Sequence, residues 1–419
     1  MKLSNVISQF GLENMPEEWP ARWEASLSGY PGENNIRFIQ KDYLHEANDV
    51  LKLSGGALQA LLEAAEAVAK NEALCMLVWH CANMLHGAYE TAGLPEFRFP
   101  VSGRLTGEFN GLINVLILLS GLDSALKEHR KRGVPPEVTA DTFSDLMLWM
   151  DHYRRKYGKW GMEKQAWLIN HFSCRLYRLG RLQYIHRPFY GDIKVFRRRG
   201  DRRVLALSEA GITYREDGQV DGTNGIFDKT GPWTSCFSAD GRQITSNPIS
   251  PFGCAVKDTV RLDAAEWDLV LAKGSPVLDM HIPEGGKMSP ELCGQSLHMA
   301  EEFYRTLFPE KDYHAFTCHT WLFDSQFQEL LPPESNIVRF QRNFYLYPAL
   351  GSDFQTFERV FGEKPGDLSK APRDTALRRA ILDFAAQGNH MRDAGGFILP
   401  EDLDWGGDPY QRDRLELIE

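Results

Sequence analysis

The 419-residue chain has no apolar run approaching the ~18 residues that a membrane span needs, which predicts a protein with no membrane partner. Its first twenty residues, MKLSNVISQFGLENMPEEWP, hold one lysine, no apolar core and two adjacent glutamates. That pattern argues against a secretory signal and predicts a cytoplasmic chain. CxxC pairs are missing as well. Seven cysteines, at 75, 81, 174, 236, 254, 293 and 318, are scattered along the chain, so neither a disulfide framework nor a zinc ribbon is expected. Nor is there a surplus of positive charge. A net charge of −10 argues against a nucleic-acid partner, because neutralising phosphate is what supplies non-specific affinity. GxSxG, HExxH, P-loop and dinucleotide fingerprints do not occur, which sets aside several common enzyme classes.

What is present is an ordinary globular composition, 43% apolar and 25% charged, on a chain too long for one hydrophobic core. Two domains are expected, divided near Gly180. Over residues 1–179 the dominant signal is helical. Leu58, Leu61, Leu62, Ala65 and Val68 recur at three- and four-residue steps, and similar stripes occupy Leu112–Leu122, Phe143–Met150 and Trp160–Tyr177. Turn signals at Gly93–Pro95, Gly103 and Gly133–Pro136 separate them, as in a helical bundle.

Residues 180–419 read differently. LQYIHRPF, IKVFRR, RVLALS and ITYRED alternate with period two between Gly and Asp breaks, which predicts a β-meander. The basic run Arg197–Arg199 with Arg202 and Arg203 straddles Gly200–Asp201 and reads as a solvated hairpin tip. Asp221–Gly253 is too rich in Gly, Pro and Thr for a regular element, and its aromatics Phe227, Trp233 and Phe237 suggest an ordered lid over a site. LDAAEWDLVLAKG reads as a helix capped by Asp263 and stopped at Gly274. Then follow a strand at Val277–Ile282, a helix at Pro290–Phe308, a strand at Ala315–Phe323, helical stretches at Ser325–Leu331 and Ser335–Phe344, and a strand at Tyr345–Ala349. The C-terminal tail, with Trp405–Gly406–Gly407 and acidic residues, has no strong pattern and is expected to pack loosely. The fold class is therefore α+β.

The chemistry concentrates in Ser275–Phe308. Alternation places Leu278, Met280 and Ile282 on one strand face and Val277, Asp279 and His281 on the other. His281 can serve as a general base or belong to a satisfied structural pair, and Asp279 reads as its structural partner. The loop Gly285, Gly286, Lys287, Met288 and Ser289 leads into a helix with Ser289 as N-cap and Pro290 at its first position. Free N–H groups there suit an anion, whereas Glu284 and Glu291 oppose one, so a plain connecting turn is the other reading. On the next strand Thr317, His319 and Trp321 share a face, and Cys318, pointing the other way, reads as a buried thiol. His80, Cys81 and His86 lack metal-ligand spacing and read as core. His171 and Cys174 want partners for a metal, and none is expected. Asp228 and Lys229 read as a mutual surface ion pair.

The segments VLDMHIPEGGKMSPELCGQSLHMAEEFYRTLFP, FTCHTWLFDSQ and SNIVRFQRNF, with TNGIFDKTGPWTS and ITSNPISPFG, resemble bacterial acyltransferase-domain proteins that join an N-terminal helical N-acyltransferase domain to a C-terminal GNAT-like domain. The resemblance implies a GNAT-like mixed sheet flanked by helices, a coenzyme A thioester as substrate, and transfer of its acyl group to an amine or similar nucleophile on a small molecule. It implies pyrophosphate contacts at Gly285, Gly286, Lys287, Met288 and Ser289. Among the candidate site residues Asp279, His281 and His319, His281 is the expected base that deprotonates the acceptor, and His319 is the second candidate for that role. The GNAT loop pattern Gln/Arg-x-x-Gly-x-Gly/Ala, started at Ile282, is met only at Gly285. A second reading is thus a non-catalytic GNAT-like binding or regulatory protein without CoA affinity.

Overall fold

The structure, a computed structural model, describes residues 1–13, 15, 17–91 and 107–410, the side chains of 88–91 and 108 excepted. The expected turns at Gly93–Pro95 and Gly103 lie outside the described residues. The chain divides into two compact units, Met1–Gln183 and Tyr184–Glu419.

The first unit is helical: α1 (Leu3–Phe10), α2 (Trp19–Ser28), α3 (Lys41–Leu51), α4 (Gly55–Ala69), α5 (Glu72–Thr91), α6 (Asn110–Leu119), α7 (Leu122–Arg132), α8 (Pro136–Phe143), α9 (Asp145–Tyr157) and α10 (Gln165–Phe172). Helix α4 starts where Ser54 Oγ accepts from Ala57 N at 3.4 Å, and it buries Ala57, Leu61, Ala64, Ala65 and Val68. Helix α6 is buried from Leu112 to Leu119 except at Asn114, as a helix apolar on all sides must be. The Trp160–Tyr177 stripe is helical only over α10, and its end enters the strand β1 (Leu176–Leu179). No helix among the described residues is long and apolar enough to cross a membrane.

In the second unit come β2 (Leu182–Pro188), β3 (Ile193–Arg198), β4 (Val204–Ser208), β5 (Thr213–Tyr214), β6 (Trp233–Thr234), β7 (Phe237–Ala239), β8 (Gln243–Ser246), β9 (Pro248–Ser250), β10 (Cys254–Ala255), β11 (Val260–Asp263), β12 (Trp267–Leu271) and β13 (Pro276–His281). After them run α11 (Pro290–Leu307), β14 (Phe316–Thr320), α12 (Phe327–Leu330), α13 (Asn336–Gln341), β15 (Tyr345–Pro348), α14 (Phe354–Phe361), α15 (Ala376–Ala386) and β16 (Ala394–Ile398). Within this unit the principal sheet is mixed, with its strands in the order β2-β13-β14-β16-β15. A five-stranded sheet, β10-β9-β4-β3-β12, accompanies it. The fold is thus α+β.

Three expectations need correction. LDAAEWDLVLAKG is no helix: β11 ends at Asp263, whose Oδ1 accepts from Ala265 N at 2.8 Å, and β12 follows. A register shift between Leu269 and Leu271 spoils the alternation of β12, which is why the stretch does not read as a strand. Asp221–Gly253 is not one loop. It folds into a 3₁₀ turn at Thr223–Gly225 and the strands β6 to β9, each too short to show a period. Trp233 is buried there, whereas Phe227 is exposed.

The tail is the third correction, for β16 lies inside the principal sheet, antiparallel to both β14 and β15. Its Ala-Gly-Gly start is poor strand material by propensity. Tertiary packing overrides this, because a Cβ on Gly395 would overlap the Tyr347 ring and one on Gly396 would meet Phe323 Cε2 at 2.7 Å. Farther on, the Trp405 ring would stand 2.5 Å from a Cβ on Gly294 and lies 5.9 and 6.1 Å from the Phe340 and Phe344 rings. The tail therefore packs closely on α11. Gly395→Ala should cost about 1–3 kcal/mol by overpacking, read as a lowered urea midpoint with unchanged slope.

Candidate active site

Strands β13 and β14 are parallel, with the register Leu278–Phe316 and Asp279–Thr317. The register ends there, although β13 continues to His281 and β14 to Thr320. Beyond Asp279 and Thr317 the two strands are free to part, at the end where parallel sheets place ligands. In-register residues share a face, so Leu278 and Phe316 point one way and Asp279 and Thr317 the other.

Asp279 is buried, with 4% of its surface exposed, so its carboxylate needs partners. It has three. Arg187 Nη2 lies 2.5 Å from Oδ2, His281 Nε2 lies 2.9 Å from the same oxygen, and Thr317 Oγ1 donates to Oδ1 at 3.1 Å. Arg187 is delivered by the end of β2, which is tied down by Phe189 N to Ser275 O at 2.8 Å and Gly274 N to Phe189 O at 2.9 Å.

A cavity of about 500 Å³ opens on this face. Asp279, Thr317, His319 and Tyr347 form its floor, Arg187 to Asp192 one wall, and Ile212, Tyr214, Val220 and Leu350 much of the remainder. Solvent reaches His319 through the cavity, yet protein surrounds it closely enough that desolvation lowers its pKa. Asp279 partly offsets that shift and Arg187 adds to it. Neutral imidazole is therefore the form at pH 7, able to accept a proton. Burial raises the Tyr347 hydroxyl well above its ordinary value, and the Asp279 carboxylate pushes the same way, so Tyr347 keeps its proton. The ring meets Phe189 edge to face at 6.0 Å.

The structure thus brings Asp279 and His319 to one cavity, with His281 against Asp279 but not among the cavity walls. The Gly285–Ser289 loop is not in those walls either. Gly285 and Gly286 take φ of +87° and +73°, the region that favours glycine. Ser289 caps α11, accepting from Leu292 N at 3.4 Å and donating to Glu291 Oε2 at 2.6 Å, while Arg339 Nη2 sits 3.3 Å from Glu291 Oε1. Trp321 leaves the His319 face because β14 ends at Thr320 and a 3₁₀ turn begins. Cys318 is buried, its thiol pKa raised by desolvation.

Arg187, Tyr347 and Tyr214 were not singled out from sequence. Each lies on its own short strand far from Asp279 in the chain, and only the alternation of LQYIHRPF and of the stretch after Phe344 could have pointed to two of them. Tyr345, two residues before Tyr347 on the same strand, is structural: its hydroxyl donates to Ile249 O at 2.5 Å. The arginine run is a hairpin as expected, but Arg197 is buried against Asp402 at 2.7 Å, and Arg199 holds Asp268 at 2.8 Å. Asp228 accepts from the backbone of Thr230 and Gly231 and is no ion pair with Lys229. His80 and Cys81 are core, and burial lowers the His80 pKa to about 4. His171 Nε2 meets buried Asp145 at 3.3 Å. Among the described residues, no group of three or more His, Cys, Asp or Glu is placed to hold a metal ion.

A mixed sheet whose central parallel pair parts beside a lined cavity defines the class. The family model described as the GNAT-like C-terminal domain matches residues 176–398, and that of the N-acyltransferase N-terminal domain matches 42–174. The chain belongs to this family, with a helical N-acyltransferase domain ahead of a GNAT-like one. No curated protein matches it. Among solved structures, an acyltransferase in complex with CoA and 10C-teicoplanin is similar with a TM-score of 0.66 and 21% identity, over 95% of this chain and 99% of that one. An acyltransferase mutant with octanoyl-CoA gives 0.65 and 22%, over 96% and 100%. One with decanoyl-CoA gives 0.64 and 23%, again over 96% and 100%. At such identities the likeness is one of fold.

Replacing Arg187 by Leu strips the buried Asp279 carboxylate of its cationic partner. The expected loss is about 1–3 kcal/mol in urea unfolding, at the modest end because Arg187 is itself partly exposed. Retention of full stability would show that Thr317 and His281 suffice.

Proposed function

We propose that the protein is an acyl-CoA-dependent acyltransferase that moves an acyl group to an amine or similar nucleophile on a small molecule in the cytoplasm. The observation that carries this is the end of the β13–β14 register at Asp279–Thr317, directly beside a cavity holding His319 and Tyr347. The thioester enters between the two strands, and its pyrophosphate lies on the loop of Gly285, Gly286, Lys287, Met288 and Ser289. Acyl-CoA in the structurally similar acyltransferases supports a CoA thioester as the donor.

In this reading His319 removes a proton from the acceptor amine as its nitrogen attacks the thioester carbon. The C–N bond forms, the C–S bond breaks, and the departing thiolate takes the Tyr347 proton. Asp279 is a positioning residue. Through Oδ2 it holds His281 beside the parting strands, and its charge favours the imidazolium that His319 becomes. A second reading, a GNAT-like binding or regulatory protein without CoA affinity, draws on the Glu291 carboxylate at the α11 N-terminus, the place an anion would use.

Two measurements test the first reading. Isothermal titration with acetyl-, octanoyl- and decanoyl-CoA should show binding below millimolar concentration, and silence at millimolar ligand would choose the second. A base with a lowered pKa is active when deprotonated, so kcat/KM should fall on the acid side with an apparent pKa below the ordinary histidine value of about 6.5. His319→Gln should abolish that limb and cost about 10²–10⁴-fold in kcat/KM. An unchanged profile would remove His319 from the role and leave His281 as the candidate.

A further inference from the structure

The described residues include ten exposed large hydrophobics; two of them, Tyr190 and Leu350, line the cavity, and Phe227 and Phe354 lie on segments tied to that of Leu350. Phe227, Leu350, Phe354 and Tyr190 are 68, 65, 61 and 61% exposed. They are held near one another. A Cβ on Gly222 would lie 3.2 Å from the Phe227 ring and 3.7 Å from Leu350 Cδ1. Asn224 N donates to Gly351 O at 2.9 Å, and Asn224 Oδ1 accepts from Asp353 N at 2.7 Å, which pins the segment leading into Phe354. Tyr190 lines the cavity on the Arg187–Asp192 segment, with the Arg187 guanidinium 5.4 Å from its ring centre. Exposed apolar surface gathered in one place marks a binding surface.

We propose that the acyl acceptor is a primary amine carrying a sizeable apolar or aromatic body, which rests on Tyr190, Phe227, Leu350 and Phe354 while its nitrogen reaches His319. This rests on the acyltransferase reading. Two observations favour a small-molecule acceptor over other occupants. Tyr190 and Leu350 belong both to the rim and to the cavity walls, so the surface is continuous with the reaction site and is no separate protein patch. The donor comes from the β13–β14 end, whereas Leu350 and Phe354 follow β15, set off from β14 by the whole of β16. The acceptor thus occupies the side of the cavity that the donor leaves open. Its nitrogen gains the acyl carbon and loses one proton to His319, and the thiolate leaves protonated.

The test compares wild type with a Phe227→Ser/Phe354→Ser double variant, two exposed positions whose change leaves the core intact. Acceptor selectivity is the kcat/KM ratio of tryptamine to ethanolamine with acetyl-CoA, and donor selectivity is the ratio of decanoyl- to acetyl-CoA with one amine. The expected result is a fall of at least tenfold in acceptor selectivity with donor selectivity unchanged. A collapse of donor selectivity instead would overturn the proposal, because the rim would then hold the acyl chain. So would unchanged selectivities with a shift from dimer to monomer in light scattering, since the rim would then join two copies. Calorimetric titration of tryptamine without acyl-CoA needs no turnover. Binding by wild type that is weakened tenfold in the variant supports the rim even if no amine is acylated, a result that would sink the acyltransferase reading alone. No binding of tryptamine by wild type at millimolar concentration would overturn the rim.

Discussion

The buried carboxylate of Asp279 is the constraint around which the second unit is arranged. A charge with 4% exposure is tolerable only with partners, and its partners come from three strands: Arg187 from β2, His281 from β13 itself, and Thr317 from β14. Removing water from both ions makes such a pair an uncertain source of net stability. Its plainer consequence is geometric, since it ties β2, β13 and β14 together at the last parallel pair. Immediately beyond that pair the register ends and the cavity begins.

The cavity floor depends on a second device as well. Strand β16, the last among the described residues, inserts between β14 and β15, and its two glycines leave room for the Tyr347 and Phe323 rings to lie across it. Side chains there would push Tyr347 away from the cavity floor. The poor intrinsic strand propensity of Ala394-Gly395-Gly396 is thus the cost of seating an aromatic hydroxyl beside His319. The Trp405 contact with α11 then fastens the remaining tail to the same layer.

Much of this was legible in the residues. The cap at Ser289, Pro290 at the first helical position and the apolar stripe of α11 agree, as do the alternation of β13 and the placement of Asp279 and His281 on one face. The family was legible too, because its longest segments are continuous in the chain. Elements with a broken or very short period were not. The bulge in β12 imitated a helix, β6 to β9 were read as one loop, and β16 has no side chains at its glycines to declare a face.

By itself, then, the sequence determined what depends on near neighbours along the chain: the helical first unit, the capped helix α11, the strands flanking it, and the Asp279–His281 pairing two residues apart. The tertiary structure decided which histidine faces the cavity, that Arg187 and Thr317 complete the carboxylate, and that Tyr347 takes the place in the cavity that Tyr345 does not. The physical reason is range. Capping and alternation act within a few residues, whereas Arg187 and Asp279, or Tyr347 and Gly395, meet only after non-local strand pairing has set the sheet order.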